Sequence, residues 1–132
     1  LAVSLHAAND RDRSAILPLN RRYPLDELME SCLQYVKTTG RRMTFEWALI
    51  AGQNDDERTA NELGRLLQPL KGLCHVNTIP VNPTKGFDGK PSDTRAVQRF
   101  LSILEKDYGI PATVRVRRGI DVDAGCGQLA SA

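Results

Sequence analysis

The chain has 132 residues, 41% of them hydrophobic and 26% charged, the balance of one soluble globular domain and not of a disordered chain. No apolar run approaches the roughly 18 to 20 residues that span a bilayer, and the start lacks the charged region and cleavage site of a secretory signal, so a cytoplasmic protein is expected. The net charge of +2 is too small to announce a nucleic-acid binder by itself, and three cysteines, Cys32, Cys74 and Cys126, are too few and too widely spaced for a disulfide framework.

The first element expected is a buried strand over residues 1 to 6. It begins with no initiator Met and no leading loop, whereas natural domain boundaries fall in exposed linkers, so the chain is read as excised from a protein whose missing part precedes residue 1. Ser4 and His6 stand two apart, which in a strand points both side chains to one face at its carboxyl end. His6 can donate, accept, ligate metal or move a proton there, although a lone His at a strand end is more often a structural hydrogen-bonding residue. Arginines cluster locally as Arg11 with Arg13, Arg21 with Arg22, Arg41 with Arg42, and Arg115 with Arg117 and Arg118. Each of these four spots can meet phosphate with a planar fork of donors or serve as a solvated surface.

Leu25, Leu28, Met29, Cys32, Leu33 and Val36 mark one face of a helix that begins after Pro24 and stops at Gly40. A strand follows over 43 to 51. The acids Asp55, Asp56 and Glu57 suit the first turn of a second helix, whose apolar face is Ala60, Leu63, Leu66, Leu67 and Leu70, with Gly64 and Pro69 shortening it. Next come a strand over 75 to 81, an irregular segment from Asn82 to Pro91, and a third helix carrying Val97, Phe100, Leu101 and Leu104. Ser92 or Asp93 caps it and Gly109 ends it. The last strand is expected over 112 to 117. Strands alternating with helices predict an α/β fold with a mainly parallel sheet, in which the loops after residues 6, 51 and 82 share the ligand-binding edge.

Asn82 closes its strand before Pro83 with one acceptor and two donors on its amide, suited to adenine or simply to an Asx turn. Cys126 lies between Gly125 and Gly127, where the backbone is permissive and the thiol approachable. Arg117 and Arg118 favour its thiolate and Asp121 and Asp123 oppose it. Cys32, on an apolar helix face, reads as a core residue, and Cys74 is ambiguous. Residues 86 to 92 lack the spacing of a P-loop, and Cys74-His75 has no second pair at zinc spacing, so no metal site is assigned.

The segment Thr113 to Leu129, TVRVRRGIDVDAGCGQL, closely resembles the carboxy-terminal signature of the RlmN/Cfr family of radical SAM adenosine methyltransferases. Leu1 to Ala7, Leu17 to Asn20 with Tyr23-Pro24, Gly40 to Glu46, Gly52 to Asp55 and Val76 to Asn82 resemble the family too, in the right order. Essentially the whole chain is covered, with Gly125 standing where the family usually has Ala. The resemblance implies the later part of a partial (βα)6 barrel, as a single domain over 1–132 with an extension over 112–132 that carries the reactive thiol. Ser4, Leu5, His6 and Asn82 match positions that contact S-adenosylmethionine, and Cys126 matches the residue that accepts its methyl group. A second S-adenosylmethionine would be cleaved reductively by a four-iron four-sulfur cluster. The resulting radical would activate the methyl for addition to an adenine carbon, and a second, upstream cysteine would release the product through a disulfide. The CxxxCxxC loop that binds the cluster is not in this chain, and neither Cys32 nor Cys74 matches the second cysteine. The implied partners are 23S ribosomal RNA, transfer RNA and an electron donor. Carbon 2 of the adenosine is the commoner family target and carbon 8 the alternative, while a non-catalytic RNA-binding module is the competing reading.

Overall fold

The computed structural model describes residues 2–80 and 93–115. Its four strands, β1 (Ala2–Ser4), β2 (Met43–Leu49), β3 (Cys74–Pro80) and β4 (Ala112–Val114), form one sheet in the order β1-β2-β3-β4. Every pairing is parallel, so the expected mainly parallel sheet is wholly parallel among the described residues. The middle strands match expectation to within two residues, whereas of the strands expected over 1 to 6 and 112 to 117 the described residues are extended in the sheet only over Ala2–Ser4 and Ala112–Val114.

Among the described residues four α-helices run between the strands: α1 (Asp10–Ile16), α2 (Leu25–Thr39), α3 (Glu57–Leu66) and α4 (Thr94–Ser102). Local chemistry sets their ends. Pro24 opens α2, and Gly40, at φ 68°, closes it in the left-handed conformation while its N–H bonds the Val36 carbonyl. Asp56 caps α3 by accepting from the Thr59 N–H, and Asp93 caps α4 by accepting from Ala96. Pro69 lies in the short 3-10 turn Gln68–Leu70 that replaces the end of α3, as the sequence led us to expect. Past α4 the chain makes a π-helical turn, Ile103–Asp107, before Gly109 at φ 67°. Gly64 has a packing reason: a Cβ there would run into the Tyr108 ring, whose hydroxyl donates to Asn61 Oδ1 at 2.8 Å.

The alternation of β2 and β3 divides the sheet into two unlike faces. Met43, Phe45 and Trp47 with Cys74 and Val76 point into a core shared with Leu25, Cys32 and Val36 of α2, Leu63 of α3, and Val97 and Phe100 of α4. Trp47 and Phe100 meet with ring centroids 5.6 Å apart, a contact that contributes about 0.5–1.5 kcal/mol beyond area burial. Thr44, Glu46, His75, Asn77 and Thr113 alternate onto the opposite face and remain partly or largely exposed. Strands laid down in sequence order, with α2 to α4 all on one face, describe a segment of a barrel wall, not a sheet wound in both directions. The polar face is then the inner one.

Candidate functional site

The carboxyl ends of β1 and β2 meet in a network of buried polar groups. The Leu5 N–H continues the ladder by donating to the Glu46 carbonyl at 2.9 Å, but the strand then breaks, because the Ala7 N–H turns back to the Leu5 carbonyl at 2.8 Å. Between them His6 sits at φ 62°, alone among the described non-glycine residues in having a positive φ. The expectation that strand alternation carries Ser4 and His6 to one face therefore fails: Ser4 ends the strand and His6 lies beyond it in left-handed backbone.

That strained conformation is held from two sides. The Ala48 N–H donates to His6 Nδ1 at 2.9 Å, and Asn54 Nδ2 donates to the His6 carbonyl at 3.0 Å. Asn54 also donates to the Ala48 carbonyl at 2.7 Å and accepts from the Ile50 N–H at 2.8 Å, so one buried amide joins the ends of both strands. With Nδ1 accepting, the imidazole is neutral with its proton on Nε2. Burial above all, with Arg13 nearby, lowers the His6 pKa to about 4. His6 is thus suited to donate a hydrogen bond near neutral pH and unsuited to carry a charge there.

Arg13, from α1, braces the other side. Its Nη2 donates to the Ser4 carbonyl at 3.0 Å, its Nε to the Leu5 carbonyl at 3.1 Å and its Nη1 to Asn20 Oδ1 at 2.8 Å. Asn20 Nδ2 reaches Asp10 Oδ1 and Ser14 Oγ, and Asp10 also accepts from the Leu25 N–H that opens α2. Burial lowers the Arg13 pKa, against the opposing pull of Asp10. The pairing of Arg11 with Arg13 as a surface spot is therefore corrected, since Arg13 is buried and its donors are taken up by the Ser4 and Leu5 carbonyls and Asn20. Arg11, Arg21, Arg22, Arg41, Arg42 and Arg115 do lie exposed.

Beside this network opens a hollow of about 120 Å³ lined by His6, Ala7, Asp12, Gln53, Asn54 and Thr59. It brings together the loops after β1 and β2, as anticipated for the ligand edge of an α/β sheet. Leu5 is fully buried and Ser4 half-buried. Asn82 and Cys126 lie outside the described residues. Cys32 is buried in the core as expected, and Cys74 proves to be a core residue as well. Burial raises both thiol pKa values, that of Cys74 to about 11, which disfavours the thiolate. Among the described residues no three His, Cys, Asp or Glu side chains gather as a metal site. No described helix is long and apolar enough to cross a membrane.

Reading the sequence missed Asn54 and the Arg13–Asn20–Asp10 chain. Their partners lie 4 to 48 residues away and are brought together only once the fold has formed, so no local pattern announces them.

No family model matches the chain. It is 54% identical, over its whole length, to "Probable dual-specificity RNA methyltransferase RlmN 2" of Opitutus terrae, covering 30% of that protein. It is 54% identical over 129 residues to "Dual-specificity RNA methyltransferase RlmN 1" of Myxococcus xanthus, covering 35% of it. The chain thus spans about a third of the length of these relatives. Among solved structures, a radical SAM methyltransferase from Sphaerobacter thermophilus superposes with a TM-score of 0.88 at 55% identity, over 97% of this chain and 37% of that one. A domain of a pyruvate-formate lyase-activating enzyme from Bacteroides vulgatus matches with a TM-score of 0.65 over 87% of this chain and 66% of that one, and at 19% identity it is similar in fold alone.

Proposed function

From the premise that this chain belongs to the RlmN family of RNA methyltransferases, we propose that the whole protein is a radical SAM enzyme that methylates carbon 2 of an adenosine in 23S ribosomal RNA, and in transfer RNA. Identity over the entire chain carries this reading, because it includes both the β1 carboxyl end and the segment around Cys126. The exposed arginines Arg21, Arg22, Arg41 and Arg42 suit an RNA partner. The protein would act in the cytoplasm, with an electron donor of its own.

The residues fit S-adenosylmethionine. Ser4, Leu5 and His6 occupy a segment whose carbonyls are fixed by Arg13 and Asn54, and the neutral His6 keeps a proton on Nε2 with no partner among the described residues. Ser4, Leu5, His6 and Asn82 would bind and orient the cofactor. Cys126, in the extension over 112–132, would attack its methyl carbon as a thiolate, forming a new carbon–sulfur bond and releasing S-adenosylhomocysteine. Displacement onto RNA is closed to such a target because carbon 2 of adenine is electron-poor, so the methyl must be activated as a radical while it is held on the thiol. A four-iron four-sulfur cluster, held elsewhere in the whole protein, would supply the electron for that activation. The described residues do not fit as its ligands, so its holders, like the second cysteine that resolves the product through a disulfide, would be provided outside this chain.

The test uses the full-length, cluster-loaded protein incubated with S-adenosylmethionine carrying a deuterated methyl. The peptide containing Cys126 should gain one labelled methyl, lost in Cys126→Ala. Nucleoside analysis of the RNA product should find 2-methyladenosine, and 8-methyladenosine in its place would assign the alternative carbon. An unlabelled Cys126 peptide would sink the proposed role.

A further inference from the structure

Glu46 is the sole acidic residue in the four described strands, and it stands in the second of them, on the inner polar face. In register it lies between Ser4 of β1 and Asn77 of β3, with Thr113 of β4 next in the row. Its main-chain carbonyl accepts from Leu5, the residue that follows Ser4. The side chain is half-buried, and no hydrogen bond or ion pair reaches its carboxylate from the described residues, although neighbouring polar groups pair with one another. His75 contacts Thr44 and Thr113, at 3.4 and 3.0 Å, and Thr113 contacts Asn77 at 3.4 Å. No Lys or Arg sits in these strands to neutralise the charge.

A half-buried carboxylate with no donor from its own sheet face is left to pair with whatever the face binds, and a cation is the group that it attracts most strongly. Strands in register lie about 4.8 Å apart, so whatever touches the Ser4 side chain comes within reach of the Glu46 carboxylate. Building on the reading of Ser4 as a cofactor contact, we propose that Glu46 recognises the positive sulfonium of S-adenosylmethionine and thereby discriminates the charged cofactor from its neutral product. When a thiolate takes the methyl, the carbon–sulfur bond of the cofactor breaks with its electron pair going to sulfur. The sulfonium charge and the thiolate charge vanish together. The attraction from Glu46 then disappears, favouring release of S-adenosylhomocysteine and loading of the next charged molecule. Glu46 holds the ground state more than the transition state, so its role is selection and turnover, not acceleration of the transfer.

The experiment measures calorimetric dissociation constants of S-adenosylmethionine and S-adenosylhomocysteine on the full-length, cluster-loaded protein, in wild type, Glu46→Gln and Glu46→Asp. Glu46→Gln keeps the shape and removes the charge. The preference for S-adenosylmethionine should fall about tenfold in Glu46→Gln, equivalent to about 1.4 kcal/mol, and be partly kept in Glu46→Asp. Both affinities falling together, or neither changing, would overturn the assignment of Glu46 while leaving the proposed function standing. Wild-type protein that binds neither molecule would overturn both.

Discussion

Lowering the pH should loosen the β1–β2 junction through His6 before it affects the rest of the fold. The neutral imidazole accepts a hydrogen bond from Ala48 at Nδ1, and protonation removes that acceptor inside a buried site. His6 titrates in the folded chain at about 4, down from 6.5, so the folded state binds this proton less readily than the unfolded state does. Stability from the neutral form is therefore fully present above pH 6.5 and is lost as the pH falls through about 4. At about 1.4 kcal/mol per tenfold change in affinity, the difference amounts to about 3 kcal/mol. The fluorescence of Trp47, fully buried and the only tryptophan, reports unfolding in guanidinium at a series of pH values from 7.5 to 4. His6→Asn, whose Oδ1 can accept from the Ala48 N–H without titrating, should flatten the part of the profile between pH 6.5 and 4.5. Parallel profiles for the wild type and His6→Asn would show that His6 takes up its proton without cost and would refute the account of its burial.

Three further outcomes follow from the same network and core. Asn54→Ala leaves the His6 and Ala48 carbonyls and the Ile50 N–H without their side-chain partner, and should destabilise the chain by about 2–4 kcal/mol in denaturant titrations; a loss under about 1 kcal/mol would mean that water in the adjacent hollow replaces the amide. Arg13→Lys keeps the charge but cannot reach the Ser4 carbonyl, the Leu5 carbonyl and Asn20 at once, so amide hydrogen exchange should accelerate at Leu25 and through residues 5 to 8, and an unchanged exchange pattern would count against the brace. Gly64→Ala forces a methyl into the Tyr108 ring and should cost about 1–3 kcal/mol in the same melts, relieved in the double variant with Tyr108→Ala; additive losses would show that the two residues do not meet.

How far the sequence could be read depended on whether the signal was local. The bounds of α2 follow from Pro24 and Gly40, and the Asp93 cap of α4 from a carboxylate three residues ahead of the N–H that it accepts from, all within one turn of the helix they control. The strand expected over 43 to 51 was found as β2, and its alternation puts Phe45 and Trp47 on the covered face and Thr44 and Glu46 on the other, because helices cover one face only. By contrast α1 went unread. Its residues Asp10 to Ile16 offer no apolar stripe, and the helix is held by the Asn9 cap and by the burial of Arg13, a side chain that pattern assigns to the surface. Of the candidate site, the sequence placed Ser4 and His6 at the carboxyl end of the first strand, where the structure has them, but the positive φ of His6 arises from contacts with Ala48 and Asn54, more than 40 residues away.

The regular spacing of the strands also bears on how such a chain folds. Ala2 pairs with Thr44, Met43 with Cys74 and Val76 with Ala112, so each step across the sheet closes a loop of about 30 to 40 residues. Closure entropy grows only with the logarithm of loop length, and across that range it differs by less than about 0.3 kcal/mol. Chain connectivity therefore gives none of the three pairings a head start. Which one nucleates must be decided by side chains, and the β2–β3 pair, with seven residues in register and Trp47 against Phe100 on its covered face, has the most to gain from forming early.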